Sequence, residues 1–291
     1  MADQPPGLPR SPPEAAGCDD GGSWRVAVPA TVVRLARDWG LAMGAPFGPG
    51  TSSSWVAPAR GPDDADLVLK LARAHWEAEH EADGLRVWAG QGAVRLYAAE
   101  HCGDTNALLM ERCRPGTPLS ARPEPEQDEV LAELLPRLWV SPPAGHGFRT
   151  LEAMCRRWAA ECERQLETAP GDVDPGLVRE GLALFRSLPA YADRCVLLTT
   201  DAHAGNVLSS RRGWLLIDPK PFVGDPTFDV PQHLLNCEER FRADPSGQAG
   251  RLADLLGLDA ERLRRWLFAR CAQEAPNYPP LADIARRLRI D

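Results

Sequence analysis

The stretch LLTTDAHAGNVLSSRRGWLLIDPK, Leu197 to Lys220, governs the reading of the whole 291-residue chain. It contains two apolar runs, Val196-Leu197-Leu198 and Trp214-Leu215-Leu216-Ile217, each of strand length and each ending on an acid-bearing segment. Asp201, Asn206 and Asp218 stand at those corners. Burying charge is costly unless a partner compensates it. These side chains therefore either cap the loop by bonding its backbone, or they hold a cation and do chemistry. One such residue alone would fit capping. Two carboxylates and a carboxamide at strand ends fit phosphoryl transfer better. That chemistry needs a carboxylate beside the attacking hydroxyl and oxygen ligands for Mg²⁺, a hard cation.

Composition narrows the field. With 44% hydrophobic and 25% charged residues the chain is globular. Its length suits two domains or lobes. No apolar run reaches the ~20 residues of a membrane span. The opening MADQPPGLPRSPPEAAGCDDGG lacks an apolar signal core and reads as a disordered tail over residues 1–27, which points to a cytoplasmic protein. The net charge of −8 argues against nucleic acid and anionic membrane as partners and suits a cationic small molecule. The eight cysteines include no C-x-x-C pair, so they read as reduced, packed thiols rather than a zinc site. Only Lys70 and Lys220 break an otherwise all-arginine basic set, and both fall inside motifs. A compact ammonium is not interchangeable with arginine's planar fork.

Along the chain, apolar spacing predicts a helix over Pro29–Leu41, with the proline in its first turn. A Gly/Ser/Thr-rich turn, GAPFGPGTSSSWVAP, leads into strands, of which DLVLKLA carries Lys70. The spacing of HWEAEHEADGLRVWA predicts a helix, and AVRLYAAE and NALLMERC predict two further strands. Helices then dominate: Pro125–Trp139, Arg149–Glu167, Gly176–Ser187, Val230–Arg242, Gly250–Leu256, Ala260–Gln273 and Leu281–Leu288. Residues 197–220 interrupt them as a strand, a loop and a hairpin turning at Arg211-Arg212-Gly213. The order is a small β-rich segment, 28–113, then a helical segment, 114–291.

TTDAHAGNVL together with IDPKPFVGDPTFD resembles the catalytic core of the aminoglycoside phosphotransferases, most of all the branch holding streptomycin 6-phosphotransferases and hydroxyurea phosphotransferases. The resemblance runs from about Ala45 to the C-terminus and is densest from Leu197 to Phe228. It implies an α+β, two-lobed, protein-kinase-like fold with a small β-rich N-lobe and a larger helical C-lobe. It implies Asp201 as catalytic base, Asn206 and Asp218 as Mg²⁺ ligands, and His203 as a structural brace of the loop. The chain departs from the family pattern where Thr199-Thr200 replace a usual His-Gly, Ala202 a common Leu and Ala204 a common Pro.

The same resemblance assigns the nucleotide side. Lys70 falls where this fold keeps the lysine that holds the α- and β-phosphates of ATP, with Glu81 as its ion-pair partner. FGPGTSSSW would cover the phosphates with backbone N–H groups and with Ser52, Ser53 and Ser54. LLMERCRPGTPL resembles the interlobe hinge, so backbone groups of Glu111 and Cys113 would meet the adenine edge, with Met110 as a flexible wall. The residues alone fit an ordinary strand and a Pro-Gly turn equally well. Asp225 and Asp229 in GDPTFD read as structural, one bracing the catalytic loop and one capping the next helix. Lys220 either pairs with an acid or meets a phosphate. Glu238 and Glu239 are candidate contacts for a cationic acceptor.

These features converge on an ATP- and Mg²⁺-dependent O-phosphotransferase acting on a small molecule, an aminoglycoside such as streptomycin, as a monomer or dimer. The alternatives are hydroxyurea or another small-molecule acceptor, a metal-dependent phosphohydrolase, and a non-catalytic nucleotide-binding protein.

Overall fold

Apolar alternation along residues 66–73, with Leu67, Leu69 and Leu71 opposed to Val68 and Lys70, makes a strand with two working faces. In the computed structural model that strand is the middle one of a five-stranded sheet. The structure describes residues 22–48, 53–168 and 173–289. In chain order they form α1 (Gly22–Asp38), β1 (Ala42–Met43), β2 (Ser54–Arg60), β3 (Asp66–Arg73), α2 (Glu81–Trp88), β4 (Leu96–Cys102) and β5 (Thr105–Glu111). Then come α3 (Glu124–Leu138), α4 (Leu151–Thr168), α5 (Pro175–Ser187), β6 (Val196–Leu198), β7 (Val207–Ser210), β8 (Gly213–Leu216) and β9 (Phe222–Gly224). The chain ends in α6 (Val230–Leu235), α7 (Glu238–Ala243), α8 (Pro245–Leu256), α9 (Ala260–Glu274) and α10 (Pro280–Leu288).

The backbone divides into two compact units. Among the described residues, the first comprises 22–117 and 208–220, and the second 118–207 and 221–289. The hairpin residues 208–220, which the sequence pattern groups with the helices, belong to the first unit. Long-range backbone bonds put them there: Leu216 N–H donates to Gly92 O, Val94 N–H to Leu216 O and Ser209 N–H to Thr117 O.

In the first unit the sheet runs β1-β2-β3-β5-β4, antiparallel throughout, with Lys70 paired to Val56 and Leu108. One face carries Leu67, Leu69, Leu71, Ala107 and Leu109, and α1 lays Trp24, Val28 and Leu35 on it. The Trp24 indole N–H also donates to Thr105 Oγ1 at 2.8 Å. These contacts explain why α1 starts at Gly22. Residues 22–27, assigned by sequence to the tail, are helical, and Pro29 lies inside the helix rather than in its first turn. Packing of an apolar face outweighs the proline's local penalty. The rest of that predicted tail, 1–21, lies outside the described residues. The other sheet face presents Val56, Val68, Lys70 and Met110 to a cavity. The helix expected over 75–89 is shorter: α2 covers only Glu81–Trp88, after a 3₁₀ turn at Trp76–Ala78.

The second unit is helical around α9, which packs on α5, α8 and α10. Phe185, Phe228 and Trp266 meet edge-on or tilted at 5.0–6.2 Å between ring centres, and Trp158 stacks on Phe185. The helix expected over 230–242 is two helices broken at Asn236-Cys237. The break lets Arg240 turn back to Asp128, a fully buried carboxylate that also accepts from Arg251 and lies 3.0 Å from His233 Nε2. Burial opposes the charge of Asp128, but these donors, Arg240 first, hold its carboxyl well below the usual range. The cluster fastens α3 to α6, α7 and α8. No helix among the described residues is long and apolar enough to cross a membrane.

Gly181 sets the α5–α9 spacing, because a Cβ there would lie 2.2 Å from Ala272 Cβ. Gly181→Ala should lower unfolding stability by about 1–3 kcal/mol in urea denaturation, through overpacking. Gly250→Ala in α8, where a Cβ meets nothing within 4 Å, should instead be neutral or raise stability by up to about 1 kcal/mol. Equal effects of the two substitutions would contradict the close approach.

Candidate active site

The first unit holds the nucleotide-side candidates. Alternation along β3 that buries Leu69 and Leu71 turns Lys70 to the opposite face. Its ammonium donates to Glu81 Oε1 and Oε2 at 2.7 and 2.8 Å and to Asp218 Oδ1 at 2.7 Å. Glu81 comes from the first turn of α2 and Asp218 from the end of the hairpin. Lys70 and Glu81 are buried, whereas the Asp218 side chain remains 42% exposed. Burial disfavours the Lys70 charge, but Asp218 and Glu81 outweigh it and raise its pKa. Burial pushes Glu81 up, with Lys70 pulling the other way. Crowding also pushes Asp218 up, but Lys70 and Lys220 outweigh it and hold this carboxyl well below the ordinary range. The ammonium of Lys220 thus works on the same two acids as Lys70. Asp218 has φ of +53°, a left-handed conformation that aspartate tolerates better than most residues.

Lys70 and Asp218 edge a cavity of about 330 Å³ with aliphatic walls from Val56, Val68, Val94, Met110, Leu208 and Ile217. Its rim is the segment Glu111–Gly116. Glu111 faces its side chain away, pairing with Arg212 Nε and Nη2 at 3.1 and 2.5 Å and accepting from Arg95 N–H. Its backbone N–H is also engaged, donating to Arg95 O at 2.8 Å. Cys113 is buried, and burial pushes its thiol up to about 11. Ser54 lines the cavity, Ser53 accepts a backbone bond from Arg73, and Ser52 lies outside the described residues. Sequence reasoning missed most of the wall. The period-2 pattern of β2 and β3 could have supplied Val56 and Val68, but Leu208 and Ile217 arrive from over 130 residues away.

The second unit holds Asp201 and Asn206. Strands β6 and β9 pair antiparallel and launch the loop 199–206. Fully buried Asp229 accepts from Thr199 N–H, from Thr200 N–H at 2.7 Å and from the Trp139 indole at 2.9 Å. Burial pushes its carboxyl up to about 6 against these donors. Thr200 has φ of +48°, where glycine costs nothing and a β-branched residue is strained. The grip of Asp229 on both threonine amides holds the turn that this departure from His-Gly would otherwise loosen. His203 Nδ1 accepts from Gly205 N–H at 3.1 Å, so the neutral ring carries its proton on Nε2, 4.0 Å from Asp201 Oδ1. Asn206 Nδ2 donates to the backbone oxygen of Asp201 at 3.0 Å and to its Oδ2 at 3.2 Å. That leaves the amide oxygen of Asn206 as the atom able to meet a cation. Asp225 caps the turn at Pro226–Asp229 through Thr227 N–H and accepts from Arg262 and the Trp266 indole.

Of the two acids assigned to the acceptor, Glu238 is engaged by Arg242 and by the Tyr278 hydroxyl at 2.5 Å, and Glu239 is exposed. Among the described residues no group of three or more His, Cys, Asp or Glu side chains could hold a metal. A Mg²⁺ ion that keeps waters and phosphate oxygens needs only one or two protein ligands. A second cavity, about 580 Å³ on α5, α9 and α10, contains none of the predicted site residues.

Residues 43–278 match the family model described as aminoglycoside/hydroxyurea antibiotic resistance kinase. A streptomycin 6-kinase of Streptomyces glaucescens is 32% identical over 269 residues, covering 88% of this chain and 85% of the relative. A hydroxyurea phosphotransferase of Kitasatospora aureofaciens is 36% identical over 255 residues, covering 84% and 72%. Among solved structures, a ternary complex of the aminoglycoside phosphotransferase APH(4)-Ia with ADP and hygromycin B shares the fold. It has a TM-score of 0.56 and 17% identity, over 88% of this chain and 95% of that one.

The buried pair allows a test independent of activity. Lys70→Met should cost about 3–5 kcal/mol of stability at pH 7.5, since it strands the Glu81 charge. A carboxyl with a raised folded pKa loses stability as pH rises, so the deficit should shrink as pH falls toward the unfolded glutamate value of about 4.3. Adding Glu81→Gln should recover part of it at pH 7.5. A deficit independent of pH would show that Glu81 is not the stranded charge.

Proposed function

The chain belongs to the aminoglycoside/hydroxyurea antibiotic resistance kinases, and on that premise we propose that it transfers the γ-phosphoryl group of ATP to a hydroxyl of an aminoglycoside such as streptomycin. The observation that carries the reading is Lys70, bonded at once to Glu81 and Asp218 on the edge of an apolar cavity. A phosphohydrolase site would give neither that ammonium nor that cavity a task. In this reading the base lies along the aliphatic walls, against backbone groups of Glu111 and Cys113. Ser52, Ser53 and Ser54 cover the phosphates. Lys70, steadied by Glu81, holds the α- and β-phosphates.

Asp218 and Asn206 suit Mg²⁺: one offers an ionised carboxylate, the other an amide oxygen left over by its bonds to Asp201. Held by those two side chains, Mg²⁺ would supply neutralisation of the phosphate charge. Asp201 orients the acceptor hydroxyl through the carboxylate that Asn206 steadies. As the bond from the γ-phosphorus to its bridging oxygen breaks and the bond to the acceptor oxygen forms, the acceptor's proton passes to Asp201. Such catalysis rests mainly on positioning and charge neutralisation. Use of ATP puts the enzyme in the cytoplasm. Arg242 already compensates Glu238, so Glu239 and the net charge of −8 are what favour a cationic acceptor. The 36% identity to a hydroxyurea phosphotransferase supports a second reading, with hydroxyurea as acceptor.

An ATP-consumption screen against streptomycin, other aminoglycosides and hydroxyurea should show turnover with an aminoglycoside that stops when Mg²⁺ is chelated. Turnover with hydroxyurea alone would move the assignment to the second reading. Phosphate release without any acceptor would favour a hydrolase. Asp201→Asn should leave ATP affinity near normal while lowering turnover by ~10² or more. Turnover within a few-fold of wild type would remove Asp201 from the mechanism.

A further inference from the structure

Among the described residues, Phe47 is the only aromatic side chain lining the nucleotide-side cavity, and it is 59% exposed. A large apolar surface left open beside an apolar cavity favours being covered. The ring is held in place rather than loose. Phe47 N–H donates to Val56 O at 3.1 Å, fixing its backbone to β2. The Arg112 guanidinium lies over the ring, 5.4 Å from its centre. Arg112 is itself anchored, with Nη1 3.2 Å from Asp66 Oδ1 at the start of β3. Asp66 is fixed in turn by Arg114 Nε at 2.7 Å. A chain of contacts thus runs from the sheet through an acid and a guanidinium to one aromatic face.

A planar base has two faces to bury. The cavity walls supply aliphatic contact, while an aromatic ring stacks on a base whatever its pattern of donors and acceptors. We infer that Phe47 is the stacking lid of the nucleotide site, covering one face of the base in a pose set by Arg112 and Asp66. The inference rests on the nucleotide reading of the cavity proposed above. It assigns affinity for the base, rather than for the phosphates, to residues outside the catalytic loop. Arg112 acts through the ring it orients and is a positioning residue.

The test is calorimetric binding, on the full chain with Mg²⁺, of ADP and of inorganic tripolyphosphate, which has no base to stack. Phe47→Ala should weaken ADP about tenfold or more while leaving tripolyphosphate within about twofold. Phe47→Tyr should bind both ligands as wild type does. Arg112→Gln should weaken ADP by about two- to fivefold, and should add little once Phe47 is alanine, because the two act as one unit. Unchanged ADP binding by Phe47→Ala, or equal losses for both ligands, would overturn the lid. Phe47→Leu keeps an apolar side chain and lacks the ring, so it should show the same selective loss of ADP if the alanine variant folds poorly. Failure of the wild-type chain to bind ADP would instead bring down the nucleotide reading, and the lid with it.

Discussion

One buried ammonium organises the first unit. Lys70 bonds two acids from segments far apart in the chain, and each of the three depends on the others. Removing the lysine strands Glu81 in the interior. Removing Glu81 leaves the ammonium to Asp218 alone. A hydrophobic substitute could fill the space, but it would leave no cation beside the cavity. The arrangement explains why a chain that uses arginine almost everywhere keeps lysine here. A compact ammonium can donate to three oxygens from different directions, which a planar fork cannot do in the same space.

The second unit solves a related problem with backbone amides. Asp229 commits its two oxygens to Thr199, Thr200 and Trp139, so the strained turn before Asp201 is held from within. Where a glycine would adopt the left-handed conformation freely, a threonine does so under constraint. The loop's shape therefore depends on one carboxylate placed about thirty residues downstream. Asp128 has a comparable role elsewhere in the unit, gathering four helices around a charge that no solvent reaches.

Much of this was legible in the sequence, and the reason lies in separation along the chain. Asp201 and Asn206 are five residues apart and Lys70 is one of only two lysines, so local spacing and an unusual lysine pointed to them, whereas Glu81 was picked out from its neighbours by the family resemblance. The order of periodicities gave a β-rich segment followed by helices, and the resemblance of the Leu197–Phe228 motifs implied the α+β, kinase-like fold. The break between α6 and α7 was hidden because the apolar period runs on through Asn236-Cys237, and only the distant Asp128 rewards the turn. The start of α1 was missed because Pro29 looks like a first-turn residue until the sheet face it covers is known. Phe47 and Arg112 lie far apart, one in the phosphate-covering motif and one in the hinge motif, and no local signal could join them. Of the partners that engage Glu238, Tyr278 is 40 residues away and left no local signal, whereas Arg242 is an i,i+4 neighbour that the helical spacing could have supplied.

The burial of Cys113 bears on how this enzyme could be inhibited. A cysteine on the rim of this cavity invites an electrophilic warhead, but such reagents consume thiolate, not thiol. With its thiol pushed up to about 11, only ~10⁻⁴ of Cys113 is ionised at neutral pH. An acrylamide placed there would react slowly and lose its selectivity to ordinary cellular thiols. A reversible ligand has better ground, because the strand that leads into Cys113 and the hairpin that leads into Asp218 are tied through Glu111 and Arg212 into one piece. A compound that fills the aliphatic walls meets a surface already in its final shape, so its rigidity would not be wasted on remodelling the protein.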